Sequence, residues 1–127
     1  MGHSAEGRGP FAGKRDVEVS GRPRIMVIGS SNTDMSVKTD HLPQAGETIL
    51  GGKFFMAHGG KGANQAVAAA RLGGEVTFVA RIGKDMFGDS AVAGFEKEGI
   101  DTRFIVRDAG ESGVALIFVD RDGENVI

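Results

Sequence analysis

Apolar positions along the chain fall into short runs separated by glycine-rich breaks, and the spacing within each run predicts its element. Residues 24–29 (RIMVIG) form a brief apolar run that ends in Gly-Ser-Ser-Asn, which predicts a buried strand followed by a loop. Residues 35–37 predict a further short strand, and 41–46 (HLPQAG) a turn-rich connection. Residues 47–55 mix Thr, Ile, Leu and two Phe around Gly51-Gly52, which predicts two short strands or one bulged strand. The glycine-rich loop 58–62 then leads into an Ala-rich helix over 63–72, stopped by Gly73-Gly74. That helix is apolar on most sides and is expected to be well buried. Residues 75–82 (EVTFVARI) predict the next strand, and Asp85 caps a helix that runs to about Glu98 and ends at Gly99. Strands follow over 102–107 and 112–119. The second of these places Val114, Leu116 and Phe118 on one face and Ala115, Ile117 and Val119 on the other. Residues 120–123 form a turn, and 124–127 begin a returning strand.

The strand-helix-strand-helix order over 24–99 predicts an α/β core with a parallel sheet. Residues 34–58 and 102–127 do not fit that core and read as β-rich excursions that form a small separate sheet. Residues 1–23 carry glycines and mixed charges without an apolar centre, so they read as a flexible leader and not a secretory signal. The chain stops within an apolar strand, so it is expected to be the N-terminal part of a longer protein.

Composition narrows the classes of partner. The 127 residues amount to slightly less than one domain at about 150 residues per domain. Fifteen basic and seventeen acidic residues leave a net charge of −2, which argues against a basic nucleic-acid clamp. The absence of Cys excludes disulfides, zinc ribbons and thiol catalysis. No apolar run approaches the roughly 20 residues that span a bilayer, so neither nucleic acid nor membrane is an expected partner and the cytoplasm is the default location. Glycine is the unusual entry in the composition: 21 residues, well above a usual share of about 7%. It has no three-residue period, so turns and close backbone approaches to a ligand are the expected reasons.

Two features carry candidate chemistry. The loop at 59–62 is not a nucleotide-binding Walker loop, because Gly62 stands where Ser or Thr is needed and Phe55 where the first Gly is needed. Nor is it the dinucleotide fingerprint, since Gln65 stands where Gly or Ala is required. Glycines there still let a ligand approach the backbone, and the helix that follows offers free N–H groups at its positive end. Lys61 adds a charged donor and Asn64 an amide that donates and accepts. The alternative is a tight turn that only starts a helix. The second feature is Asn32-Thr33-Asp34, just beyond the first strand, where ligands collect in open α/β sheets. A carboxylate and an amide there suit sugar hydroxyls; the alternative is an Asx turn. His3, His41 and His58 have no metal-ligand spacing. Phe54, Phe55 and Phe118 read as core or interface, and Asp85, Asp89 and Asp122 as caps and turns.

Three stretches, 29–34 (GSSNTD), 43–48 (PQAGET) and 59–65 (GGKGANQ), with 113–119 (GVALIFV) and 123–127 (GENVI) after them, resemble the ribokinase family of sugar kinases. The likeness runs from about residue 24 to the end. The Lys after the glycine pair is closer to the family's ribose kinases than to its fructose or adenosine kinases. The resemblance implies a parallel α/β core under a small β lid. It implies sugar binding by Asn32, Thr33, Asp34, Gly60, Lys61, Gly62, Ala63 and Asn64, with Ala115 and Ile117 on the lid face over the sugar. It further implies ATP as co-substrate, Mg²⁺, a monovalent cation and a homodimer formed through the lid strands. The family's catalytic Asp lies in a Gly-Ala-Gly-Asp motif that these residues lack, so no catalytic residue is assigned in this chain. The implied activity is phosphorylation of D-ribose at its 5-hydroxyl by the full-length protein. The alternatives are a kinase for another pentose or a nucleoside, or a non-catalytic fragment that associates through its lid strands.

Overall fold

The computed structural model describes residues 21–127, so most of the expected leader lies outside the described residues. Three strands make the lower layer: β1 (Arg24–Ile28), β4 (Glu75–Gly83) and β5 (Ile105–Asp108). They pair in parallel in the order β1-β4-β5, with Val27 opposite Phe78 and Ala80 opposite Ile105. Alternation along β4 sends Val76, Phe78, Ala80 and Ile82 to one face, where all four are buried. Two helices cover that face, α1 (Lys61–Arg71) and α2 (Met86–Lys97). Phe95 of α2 meets Phe78 edge-on with ring centroids 5.1 Å apart. Asp85 caps α2 by accepting from the Gly88 amide, and Gly99 ends it with φ +75°.

The upper layer is the small sheet, ordered β3-β2-β6-β7, from β2 (Asn32–Lys38), β3 (Lys53–Gly59), β6 (Gly113–Val119) and β7 (Asn125–Val126). β2 runs antiparallel to β3 and parallel to β6, and β6 runs antiparallel to β7. The expected parallel α/β core with a small second sheet is therefore present.

The structure revises several sequence expectations. Asn32, Thr33 and Asp34 are not a loop before a strand at 35–37. They are the first residues of β2, because partners on both sides hold the backbone extended from Asn32 onward. The segment 102–127 is not all lid. β5 pairs with β4 and buries Ile105 in the core, so only the part from Gly113 onward joins the small sheet. At 47–55 the strand begins only at Lys53; ahead of it Glu47 accepts from the Gln44 amide and pairs with His41 Nε2 at 2.7 Å. The loop at 58–62 shrinks to Gly60, since His58 and Gly59 finish β3 and α1 already begins at Lys61. Helix α1 is also less buried than its composition predicts. Gly62, Ala63 and Ala66 are buried and Val67, Ala69 and Ala70 half-buried, while the rest stays open because a single sheet face receives the helix.

Candidate functional site

The chain crosses between the layers three times, and the site forms where it does so. The first crossing is Gly29-Ser30-Ser31, the second is Gly60, and the third is 109–112. The first two fit together only because side chains are missing. A Cβ on Gly62 would come within 2.7 Å of the Gly29 Cα, and a Cβ on Gly60 within 2.7 Å of the Ser30 carbonyl oxygen. Gly60 also holds φ +98°, which side chains rarely adopt. The Ala63 amide donates to the Ser30 carbonyl at 3.0 Å and the Asn64 amide to the Gly60 carbonyl at 2.9 Å. That leaves the Lys61 and Gly62 amides without a backbone partner among the described residues, at the positive end of α1.

Register decides which predicted residues meet. In β2, Asn32, Asp34 and Ser36 share one face. Across the parallel pairing, Asp34 lies opposite Ala115 and Ser36 opposite Ile117. Asn32 stands between two glycines, Gly59 on one side and Gly113 on the other. Both glycines are needed there. A Cβ on Gly59 would overlap the Asp34 carboxylate, and one on Gly113 would come within 2.7 Å of Asn32 Oδ1. The result is a polar slot on one sheet face, where the Asn32 amide and the Asp34 carboxylate lie beside bare backbone at Gly59 and Gly113 and share the face with Ala115 and Ile117. Acceptors and donors at such spacing suit adjacent hydroxyl groups.

Not every predicted residue joins the slot. Thr33 alternates to the opposite face and is 3% exposed, so its side chain packs and does not face Asn32 or Asp34. Ala63 spends its side chain in the core and its amide on Ser30. Lys61 sits at the helix start with no ion pair among the described residues, in a position where the helix dipole opposes its charge. Asn64 lines a cleft of about 630 Å³ between α1 and α2, shared with His58, Arg71, Phe95 and Glu98. Sequence reasoning missed Ser36 and Gly113, and it took Gly59 for a loop residue where the structure makes it the strand partner of Asn32. Only the strand partners reveal them, because the spacing of 59 and 113 around 32 is not visible along the chain.

Two carboxylates, Asp85 beside the third crossing and Asp101 ahead of β5, are shifted most among the described residues. Asp85 is pulled down to about 2 because the Ser112 amide, the Gly88 amide and the Ser112 hydroxyl all donate to its carboxylate. Asp101 is likewise pulled down to about 2 by the Arg103 side chain and amide. Arg71 lowers Glu98, and Arg81 lowers Asp108, by direct pairing. Among the described residues no three His, Asp or Glu groups converge as metal ligands. No helix there is long and apolar enough to cross a membrane.

Comparison with known proteins gives a consistent result. The description "pfkB family carbohydrate kinase" matches residues 22–127. A ribokinase from Mus musculus is 44% identical over 105 residues, which is 81% of this chain and 32% of that protein. A deoxyribokinase from Salmonella typhi is 41% identical over 104 residues, covering 81% of this chain and 34% of that protein. Among solved structures, ribokinase from Giardia lamblia superposes with a TM-score of 0.77 at 38% identity, over 82% of this chain and 34% of that one. Arabidopsis thaliana ribokinase complexed with ribose and ATP gives 0.72 at 33% identity, over 83% and 35%. The chain thus spans about a third of the length of the curated relatives it matches.

Proposed function

The chain belongs to the pfkB family of carbohydrate kinases, and from that premise we propose that it supplies the sugar-binding and lid part of a kinase that phosphorylates D-ribose at its 5-hydroxyl. The observation that carries this reading is the register of β2, which sets Asn32 and Asp34 on one face with Ala115 and Ile117. Asp34, acceptor only, takes hydrogen bonds from two neighbouring hydroxyls, while Asn32 donates and accepts beside it. Lys61 and the amides at the start of α1 add donors from the side of the second crossing. Ala115 and Ile117 cover the carbon face of the sugar and exclude water.

ATP supplies the transferred γ-phosphoryl when it binds, in keeping with the nucleotide in the Arabidopsis complex. The residues described do not form a metal site, so no step is assigned to Mg²⁺ or to a monovalent cation here. The partner we propose besides the sugar is a second copy of the chain, which would cover the exposed apolar lid face of Phe54, Met56 and Leu116. A cytoplasmic location accompanies this reading, since that is where ATP and free sugar meet.

The Salmonella relative favours 2-deoxyribose as a second reading. Parallel kinetics with the two sugars separate them. The longer protein is expected to show higher kcat/KM for ribose, and residues 1–127 alone are expected to show no turnover. No phosphorylation of either sugar by the longer protein would refute the reading.

A further inference from the structure

The three crossings between core and lid are held in different ways. The first two interlock through bare backbone at Gly29, Gly60 and Gly62. The third, which feeds the inner lid strand β6, ends on a linked pair of side chains, Asp85 and Ser112. Asp85 Oδ1 accepts from the Gly88 amide at 2.8 Å and from the Ser112 hydroxyl at 2.7 Å, and its Oδ2 accepts from the Ser112 amide at 2.7 Å. The same hydroxyl accepts from the Gly83 amide at 3.1 Å. Glycine again makes the fit possible, since a Cβ on Gly83 would collide with the Ser112 amide and the Gly110 carbonyl. Asp85 therefore has a role that capping alone does not explain. An N-cap needs one acceptor, but this carboxylate receives three donors, two of them from the lid side. Asn at this position would turn an amide donor toward one of those three donors, and Ser would cap the helix but lack the second oxygen. Immediately after Ser112 come Gly113, beside Asn32, and Ala115, beside Asp34.

We propose that Asp85 and Ser112 form the fixed pivot of β6, which makes Asp85 a positioning residue that sets Ala115 and Ile117 over the polar slot. The proposal rests on the sugar-kinase reading for its kinetic consequence but not for its mechanical one. The pivot holds the root of β6 against the start of α2, so the strand can tilt about it without losing register against β2. With the pivot cut, β6 keeps its pairing to β2 but loses its anchor on the core, and the sugar must then order it on binding.

The test uses the longer protein with Asp85→Ser, which retains a capping oxygen, and Ser112→Ala, which leaves the Gly88 cap in place. Ser112→Thr keeps the hydroxyl and serves as the conservative rescue. Two readouts are taken: kinetics with ribose and ATP, and amide hydrogen exchange without sugar. In the first two variants KM for ribose is expected to rise about tenfold, a loss equal to one well-made hydrogen bond, with KM for ATP unchanged and kcat little altered. Exchange at 113–117 is expected to quicken about tenfold while that of 76–82 stays unchanged, and Ser112→Thr is expected to behave as wild type. Unchanged exchange at 113–117 in both variants overturns the pivot. So does equal quickening at 76–82, which would mean that Asp85 only caps α2. Should the wild-type protein leave ribose untouched, the functional reading fails, and the exchange comparison alone then decides the pivot.

Discussion

The two layers of this chain are built from similar strands but held by different forces. In the lower layer the alternating residues of β4 close against α1 and α2, and Phe78 and Phe95 are essentially out of reach of water. In the upper layer the large apolar side chains stay open: Phe54 and Leu116 are each 60% exposed. The lid therefore gains its order from ladder hydrogen bonds along β2, from glycine fits at its root and from the Asp85 clasp. A layer held that way has its register set by pairing and not by a packed core. The lower sheet is itself one-sided. Its second face, with Met26, Val106 and the 75%-exposed Ile28, is crossed by the Arg81–Asp108 ion pair.

The sharpest way to break this contrast is to truncate one buried ring. Phe78→Ala removes the side chain at the centre of the lower layer and is expected to cost about 3–5 kcal/mol, enough to unfold a small domain. Urea titration followed by circular dichroism reads it, and a loss under 1 kcal/mol would show that the lower layer is not the source of stability.

Next in size are changes at the slot between the layers. In the longer protein Asp34→Ala is expected to lower kcat/KM for ribose roughly 5- to 150-fold, the equivalent of about 1–3 kcal/mol. Gly59→Ala is expected to match it although Asp34 remains, because the new methyl group occupies the carboxylate's place. Wild-type kinetics in folded Gly59→Ala would remove Asp34 from the site.

Acid sharpens the comparison without mutation. The folded state holds Asp85 and Asp101 at about 2, below their ordinary 3.8. Their contribution is therefore complete above about pH 4 and is lost as pH falls through 3.8 toward 2. An acid titration of wild-type protein should lose stability across that window, and Asp85→Asn should lose less there, since one of the lowered carboxylates is then gone. Equal loss in both proteins would leave Asp85 without a stabilising partner in the folded state.

The smallest effect is expected on the open lid face. Phe54→Ala should change stability by no more than about 0.5 kcal/mol, since the ring packs against little within the chain. The same change should weaken self-association of the longer protein, which sedimentation velocity reads. Undiminished association would place the contact between copies elsewhere.

Local patterns carried much of this structure. The apolar run at 24–29, the alternation through β4 and β6, the Asp85 cap and the glycine stops at Gly73 and Gly99 are all readable along the chain, because periodicity and backbone freedom are properties of neighbouring residues. The motifs at 29–34 and 59–65 come together at the first two crossings. The sequence could not assign strands to sheets. Ile105 to Asp108 reads along the chain as part of the lid, since a four-residue strand shows the same alternation in either sheet. It joined the core because β4 offered an open parallel edge and a pocket for Ile105. Thr33 stood in the motif with Asn32 and Asp34, yet the pleat turned it away from them. Gly59 and Gly113, far apart in the chain, became the strand partners on either side of Asn32 only through pairing. Strand partners and register are chosen by backbone hydrogen bonds and packing between distant segments, and those are properties of the folded molecule that no local window contains.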